Sequence, residues 1–165
     1  MNSYVIRRAV IADAETLRAV RADSVRNVAP YFYSERQIRA WIEEGSVPAL
    51  REALASGSES IFVAEIGGHV AGYGSLAIRE RPHLWALYVR PQYARKGVAT
   101  ELLKTIQSEV KSAGYRDLHT AASLCARGFY EARDFIALDS FEVRLPDPES
   151  AGVIDLAMIH MCKFV

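Results

Sequence analysis

The sequence predicts an α+β domain with a mixed, mostly antiparallel central sheet flanked by helices. Three observations carry that prediction. Two apolar, β-branched-rich runs in "SIFVAEIGGHVAGYGSLAIRE" (60–80) are joined by Gly67-Gly68, a dipeptide suited to a tight hairpin. From Gly97 the apolar spacing becomes helical, with Val98, Leu102, Leu103, Ile106 and Val110 on one face. After this helix the chain reads strand, short helix, strand, strand, so hairpins come first and a strand-helix-strand unit is inserted later. A length of 165 residues fits one domain, 1–165, closing around one sizeable core.

Each element follows in order. "YVIRRAV" (4–10) reads as a strand, and Asp13 stands where an N-cap opens a helix carrying Leu17, Val20 and Val25. A second helix starts near Ser34, places Ile38, Trp41 and Ile42 at helical spacing, and stops at Gly45; a short third one closes at Gly57. "HLWALYV" (83–89) is a strand stopped by Pro91, and the Gly97 helix ends near Gly114. "RDLHTAA" is a strand, "CARGFYEAR" a short helix, and "FIALDSFEVRL" and "VIDLAMIHMCKFV" are closing strands separated by "PDPESAG".

Lys plus Arg equal Asp plus Glu at 20 each, which leaves no global field for nucleic acid or an anionic membrane. No apolar run approaches the ~20 residues that span a bilayer. Cys125 and Cys162 lie far apart behind an N-terminus without a signal-peptide pattern, so the expectation is a cytoplasmic protein with reduced thiols. No metal-ligand spacing is present, and no metal is expected.

"YARKGVAT" (93–100) sets a glycine behind two cations and ahead of a helix. A helix start carries unpaired amides and partial positive charge, and a glycine lets an anion approach them. Arg95, Lys96, Gly97, Val98, Ala99 and Thr100 are therefore candidates for a phosphate contact, through side chains at Arg95, Lys96 and Thr100 and through backbone amides throughout. The run lacks the Gly-Lys-Ser/Thr ending of a Walker loop. "GYGSLA" (72–77) resembles a dinucleotide fingerprint only superficially, since it lies in a strand with no helix behind it.

"LYVRPQYARKGVATELL" (87–103) resembles the signature of the GNAT superfamily of acyl-CoA-dependent N-acetyltransferases, in which a strand ending in Leu-Tyr-Val precedes a Gln/Arg-x-x-Gly-x-Gly/Ala loop and helix. "ASLCARGFYEARDFIA" (122–137) is similar to the same family's short helix, which commonly ends in Phe-Tyr-Glu-x-x-Gly-Phe. Element order extends the resemblance over nearly the whole chain; the specific motifs cover 83–137. The combination with "YFYSERQIRAWIE" resembles a bacterial branch of N-acetyltransferases whose acceptors the resemblance does not fix. Three positions depart from the pattern: Ala94 stands at the usual Gln/Arg, Ser123 at a frequent Asn, and Asp134 at the usual Gly.

The resemblance implies a splayed parallel strand pair, 83–89 and 117–122, holding acetyl-CoA as co-substrate, with pyrophosphate on the Gly97 helix start and Ser123 beside the cofactor. It also implies pantetheine pairing with the backbone of Leu87 and Val89, and an amide near Tyr88 polarising the thioester carbonyl. Tyr130 is implied as the acid that protonates the leaving thiolate. His83 opens the strand where many members carry a glutamate base, and an imidazole of pKa near ~6.5 suits that role; Glu80 is a weaker competitor. His119 can face either side of its strand, and His69 and His160 read as ordinary strand residues. A helix dipole could lower the pKa of Cys125, but direct transfer explains more of the chain than an acyl-cysteine does.

By the same resemblance the acceptor pocket involves 25–41, where Tyr31, Tyr33 and Trp41 offer aromatic walls and Glu35 could attract an amine, while Arg26 and Arg36 could instead hold a carboxylate. The acceptor is expected to be a small-molecule or protein amine, attacked directly in a ternary complex. Homodimerisation through the closing strands follows from family analogy alone. The alternative to an enzyme is a non-catalytic acyl-CoA-binding sensor or partner module, and a third reading is transfer from a longer acyl-CoA.

Overall fold

In the computed structural model, which describes residues 3–165, seven strands form one sheet in the order β1-β2-β3-β4-β5-β7-β6. The strands are β1 (Tyr4–Arg8), β2 (Ser60–Ile66), β3 (His69–Ile78), β4 (Pro82–Val89), β5 (Asp117–Ser123), β6 (Ile136–Pro146) and β7 (Val153–Phe164). The five helices are α1 (Ala14–Val28), α2 (Glu35–Glu44), α3 (Val47–Ser56), α4 (Val98–Ser112) and α5 (Arg127–Glu131). Neighbouring strands are antiparallel except β4 and β5, which run parallel. Among the described residues no helix is long and apolar enough to cross a membrane.

Both faces of the sheet are covered. Leu102, Leu103, Ile106 and Val110 press α4 onto one face beside Leu84, Leu118 and Met161. On the other face, Leu17 and Val20 of α1 pack with Val63 and Tyr73, while α2 sets Ile38, Trp41 and Ile42 against Leu145 and Leu156. The two-glycine run of β3 follows from this packing. A methyl at Gly74 would lie 2.7 Å from Ile106 Cδ1, so "GYG" permits close approach of α4 rather than forming a nucleotide loop.

One helix start differs from expectation. The Asp13 side chain does not cap α1; its Oδ2 accepts from the Val10 amide at 2.7 Å, and both carboxylate oxygens take the Arg7 guanidinium. A charged fork offers Asp13 stronger hydrogen bonds than a helix amide would. Ser34, by contrast, caps α2 as expected, accepting from the Gln37 amide while Gln37 reaches back to the Ser34 amide.

Candidate functional site

Strands β4 and β5 pair only at His83↔His119 and Leu84↔Thr120. At the next residue, Trp85, β4 carries an extra residue against β3, since Ser75 opposes Ala86 and Leu76 opposes Leu84. Such a bulge bends its strand. It coincides with the point where β4 parts from β5, and the predicted splay is present.

Backbone alternation decides what β4 offers to that gap. The Arg90 amide donates to Ala71 O at 2.8 Å, and the Tyr88 carbonyl lies toward Gly72. Tyr88 therefore spends its amide and carbonyl on β3, whereas those of Leu87 and Val89 face the opening. Any amide that β4 presents to a carbonyl there belongs to Leu87 or Val89. The Tyr88 side chain points elsewhere, accepting a hydrogen bond from Trp41 Nε1 at 3.1 Å.

The start of α4 lies beyond the end of this strand. Gly97 has φ +84°, a left-handed value, and nothing lies within 4 Å of where a Cβ would stand. The first bond into the helix is Glu101 N–H to Gly97 O at 3.1 Å, so the preceding amides have no backbone acceptor among the described residues. Val98 is buried as the first core residue of the helix, while Arg95, Lys96 and Gly97 are exposed. Lys96 sits over the Tyr93 ring. The Thr100 hydroxyl is held by Arg133: its Oγ1 accepts from Arg133 Nε and Nη2 at 3.2 and 2.8 Å, which leaves its own O–H as a donor.

Arg133 is thus a cation beside the helix start that the sequence reading missed. Its guanidinium stacks 3.7 Å from the Phe129 ring centroid and donates to Phe129 O. Its presence in "FYEARDF" was the available signal. Asp134 also finds its reason here: it adopts φ +65°, the left-handed turn that a glycine fills more cheaply and that Asp tolerates better than most residues.

A cavity of about 280 Å³ joins the β4–β5 gap to the face covered by α1 and α2, and it includes Tyr130, His83, Ser123, Trp41 and Arg21. Tyr130 is 6% exposed, wedged edge-on between Phe129 and Phe135. Burial raises its pKa far above that of free tyrosine, with the Thr120 hydroxyl acting in the opposite direction, so the phenol keeps its proton. His83 departs from the ordinary imidazole. Burial, reinforced by His119, His160 and Arg81, brings its pKa down to about 4, and Nε2 is buried without a partner among the described residues. Ser123 shares a hydrogen bond with Cys125 Sγ at 3.1 Å, and burial raises the Cys125 thiol rather than a helix dipole lowering it. Cys125 precedes α5, a helix of only five residues.

Of the expected acceptor residues, only Trp41 lines the cavity. Tyr31 is 88% exposed, and Glu35 is exposed on α2. Tyr33 is a buried clamp: its hydroxyl donates to Ala157 O at 2.7 Å and accepts from the Leu124 amide at 2.8 Å, tying the segment ahead of α2 to β7 and to the residue that follows β5. Arg36 is committed to Asp147, and Arg26 is exposed outside the cavity lining. Glu80 is absent from the cavity lining but lines, with Arg79 and Arg81, a surface recess that shares His83 and Trp85 with the cavity.

Sequence reading missed Arg21, a buried α1 cation. Its Nη2 donates to Trp41 O at 2.6 Å and Glu44 Oε2 at 2.9 Å, its guanidinium lies over the Tyr88 ring, and Nε has no partner among the described residues. Glu44 and Glu59 supply the acidic groups of the cavity instead of Glu35.

A family profile for the acetyltransferase (GNAT) domain matches residues 31–144. The chain belongs to the GNAT N-acetyltransferase family. It is 34% identical over 137 residues to the uncharacterized N-acetyltransferase YafP of Escherichia coli (strain K12), across 82% of this chain and 83% of that one. Similar solved structures include a GCN5-related N-acetyltransferase from Rhodopseudomonas palustris, with TM-score 0.86, 26% identity, and 100% and 98% of the two chains covered. The PaiA N-acetyltransferase of Thermoplasma acidophilum, solved with coenzyme A, gives TM-score 0.81, 24% identity and 99% coverage of each chain. The GNAT fold and acyltransferase class inferred from the two motifs therefore stand.

Proposed function

We propose that this GNAT domain transfers an acetyl group from acetyl-CoA to a primary amine by direct attack within a ternary complex. The observation that carries the reading is the single cavity in which a protonated Tyr130 meets the open edge of β4 and a neutral His83. Coenzyme A bound to the PaiA relative supports the donor assignment, and the unpaired amides ahead of Glu101 suit a pyrophosphate. Lys96, Arg95 and Arg133 would add positive charge there, with backbone amides compensating for Ala94.

In the proposed step the amine nitrogen attacks the thioester carbon, and the carbon–sulfur bond breaks. Leu87 or Val89 N–H stabilises the charge developing on the carbonyl oxygen. Tyr130 O–H gives its proton to the departing sulfur. His83 Nε2 takes the proton from the nitrogen. A base with a pKa of about 4 cannot strip a proton from a free ammonium at neutral pH, so the amine has to arrive uncharged. After attack the nitrogen becomes far more acidic, and a weak base suffices.

The amine would enter between α1, α2 and β4. Glu44 and Glu59 attract it, and the spare donors of Arg21 suit a carbonyl or carboxylate on the same acceptor. The test is a panel of amines crossed with acetyl-, propionyl- and succinyl-CoA, followed by thiol release. Acetyl-CoA with an amine bearing a nearby carboxylate or amide should give the fastest release. Tyr130→Phe should lower kcat about 10²-fold with little change in KM. Unchanged single-turnover rates in that variant would remove Tyr130 from the acid role, and binding of CoA esters without thiol release for any amine would favour a sensor.

A further inference from the structure

A row of titratable side chains crosses the sheet next to the cavity, unused by the transfer step except at His83. Register alone assembles it. His83 on β4 opposes His119 on β5, His119 opposes Cys162 on β7, and His160 on β7 lies opposite Asp139 on β6. Asp117 and His119 are two apart on one strand, and His160 and Cys162 two apart on another, so each pair shares a face. His119 and Cys162 are both buried. His160 is a residue of strand β7, as expected, and it also hydrogen-bonds His119 and Asp139; spacing along the sequence does not reveal donors gathered from two strands.

The hydrogen-bond inventory of this row does not close with neutral side chains. Asp117 Oδ2 meets His119 Nε2 at 2.8 Å, His119 Nδ1 meets His160 Nε2 at 2.9 Å, and His160 Nδ1 meets Asp139 Oδ1 at 3.1 Å. Each of these contacts joins two lone-pair carriers and needs one hydrogen or one cation between them. Two neutral imidazoles bring only two hydrogens to the three contacts. If both point outward, from His119 to His160 and from His160 to Asp139, the Nε2 lone pair of His119 is left facing a carboxylate. Cys162 Sγ lies 3.6 Å from that same nitrogen. One atom each from Asp117, His119 and Cys162 lie within 4.8 Å of one another.

We propose that Asp117, His119 and Cys162 form a binding site for a divalent ion of the zinc class. One oxygen, one imidazole nitrogen and one thiolate form a mixed donor set suited to zinc or cobalt rather than calcium or magnesium. Three protein donors leave a fourth tetrahedral position for water. The His119-to-His160-to-Asp139 chain is the arrangement that orients a ligating imidazole, because the second ring nitrogen donates outward and fixes the tautomer. Asp117, the most exposed of the three donors, gives an ion its way in. A bound ion would staple β5 to β7 at the end of the β4–β5 gap where those strands still pair.

The test uses the full chain with cobalt(II) alone, without acyl-CoA or amine, so its outcome is independent of the acyltransfer reading. Titration should give one ion per chain and a near-ultraviolet thiolate-to-cobalt absorption. Cys162→Ser should abolish that absorption and weaken binding at least tenfold, whereas Cys125→Ser should leave both unchanged. Zinc should raise the unfolding temperature of the parent chain and of Cys125→Ser, but not of Cys162→Ser. Absence of a cobalt spectrum at stoichiometric protein, or a band that survives Cys162→Ser, would overturn the site and leave the extra proton of an imidazolium as the third hydrogen in the row.

Discussion

The two ends of the candidate site are built from different materials. At the α4 end the groups on offer are mostly backbone: amides before Glu101, and the amides and carbonyls of Leu87 and Val89. At the α1–α2 end they are side chains gathered from distant segments, such as Arg21 of α1 bound to Glu44 of α2, and Glu59 just ahead of β2. Backbone geometry depends on a short local pattern, so it can be shared among sequences that differ widely. Side-chain pockets depend on pairwise contacts across the fold, and each can be rebuilt to suit another acceptor.

The largest expected effect tests the backbone end. Gly97→Ala keeps the chain length but penalises φ +84° by about 1 kcal/mol and puts a methyl beside the open amides. Losing one or two charge-assisted hydrogen bonds should raise the dissociation constant for CoA about 10- to 100-fold, read by calorimetry. Amine KM should change little. If CoA affinity stayed within twofold while stability dropped, the helix start would be a structural turn and not an anion cradle.

A smaller effect should separate the other end. Arg21→Gln retains a donor toward Trp41 O but removes the cation from the cavity. The expected result is an acceptor KM raised about tenfold, unchanged CoA affinity, and a stability loss of about 1–2 kcal/mol from the broken Glu44 pair and disturbed packing. Equal losses of amine and CoA binding would mean that Arg21 supports the whole cavity instead of one end of it.

The same division explains what could be read from the sequence. Gly97, the Leu-Tyr-Val strand and "FYEAR" are each contiguous, and their backbone consequences appear where the motif is written. The order of elements along the chain followed, and so, through the family resemblance, did the splay of β4 from β5. The acceptor residues did not: Tyr31, Tyr33 and Glu35 lie within ten residues of Trp41 in the chain, yet of these four only Trp41 lines the cavity, because Tyr33, just ahead of α2, is spent on hydrogen bonds to Ala157 and Leu124, and Tyr31 and Glu35 stay in solvent. Arg21 looked like one more charged helix residue, and its burial depends on Gly45. A Cβ there would lie 2.6 Å from Arg21 Cδ, so a helix stop in α2 makes room for a cation of α1. No spacing rule contains that coupling.

The smallest expected effect asks how far the side-chain end relies on ionised carboxylates. Asp13 lies about two turns upstream of Arg21 and fixes the entry to α1 through Arg7. The Arg7 guanidinium holds its carboxyl below the ordinary value of 3.8, with the Val10 amide assisting and burial opposing. A carboxyl that ionises more readily in the folded state contributes stability above its unfolded pKa and loses it as pH falls through the folded value. Asp13→Asn should therefore cost about 1 kcal/mol near neutral pH, a figure reduced by the partial exposure of Arg7. The gap between parent and variant in urea unfolding should narrow only once the pH drops below about 4. A gap that persisted undiminished at about pH 2 would show that Asp13 acts through the shape of the turn and not through its charge, and α1 would then hold Arg21 in place without an ionic anchor at its start.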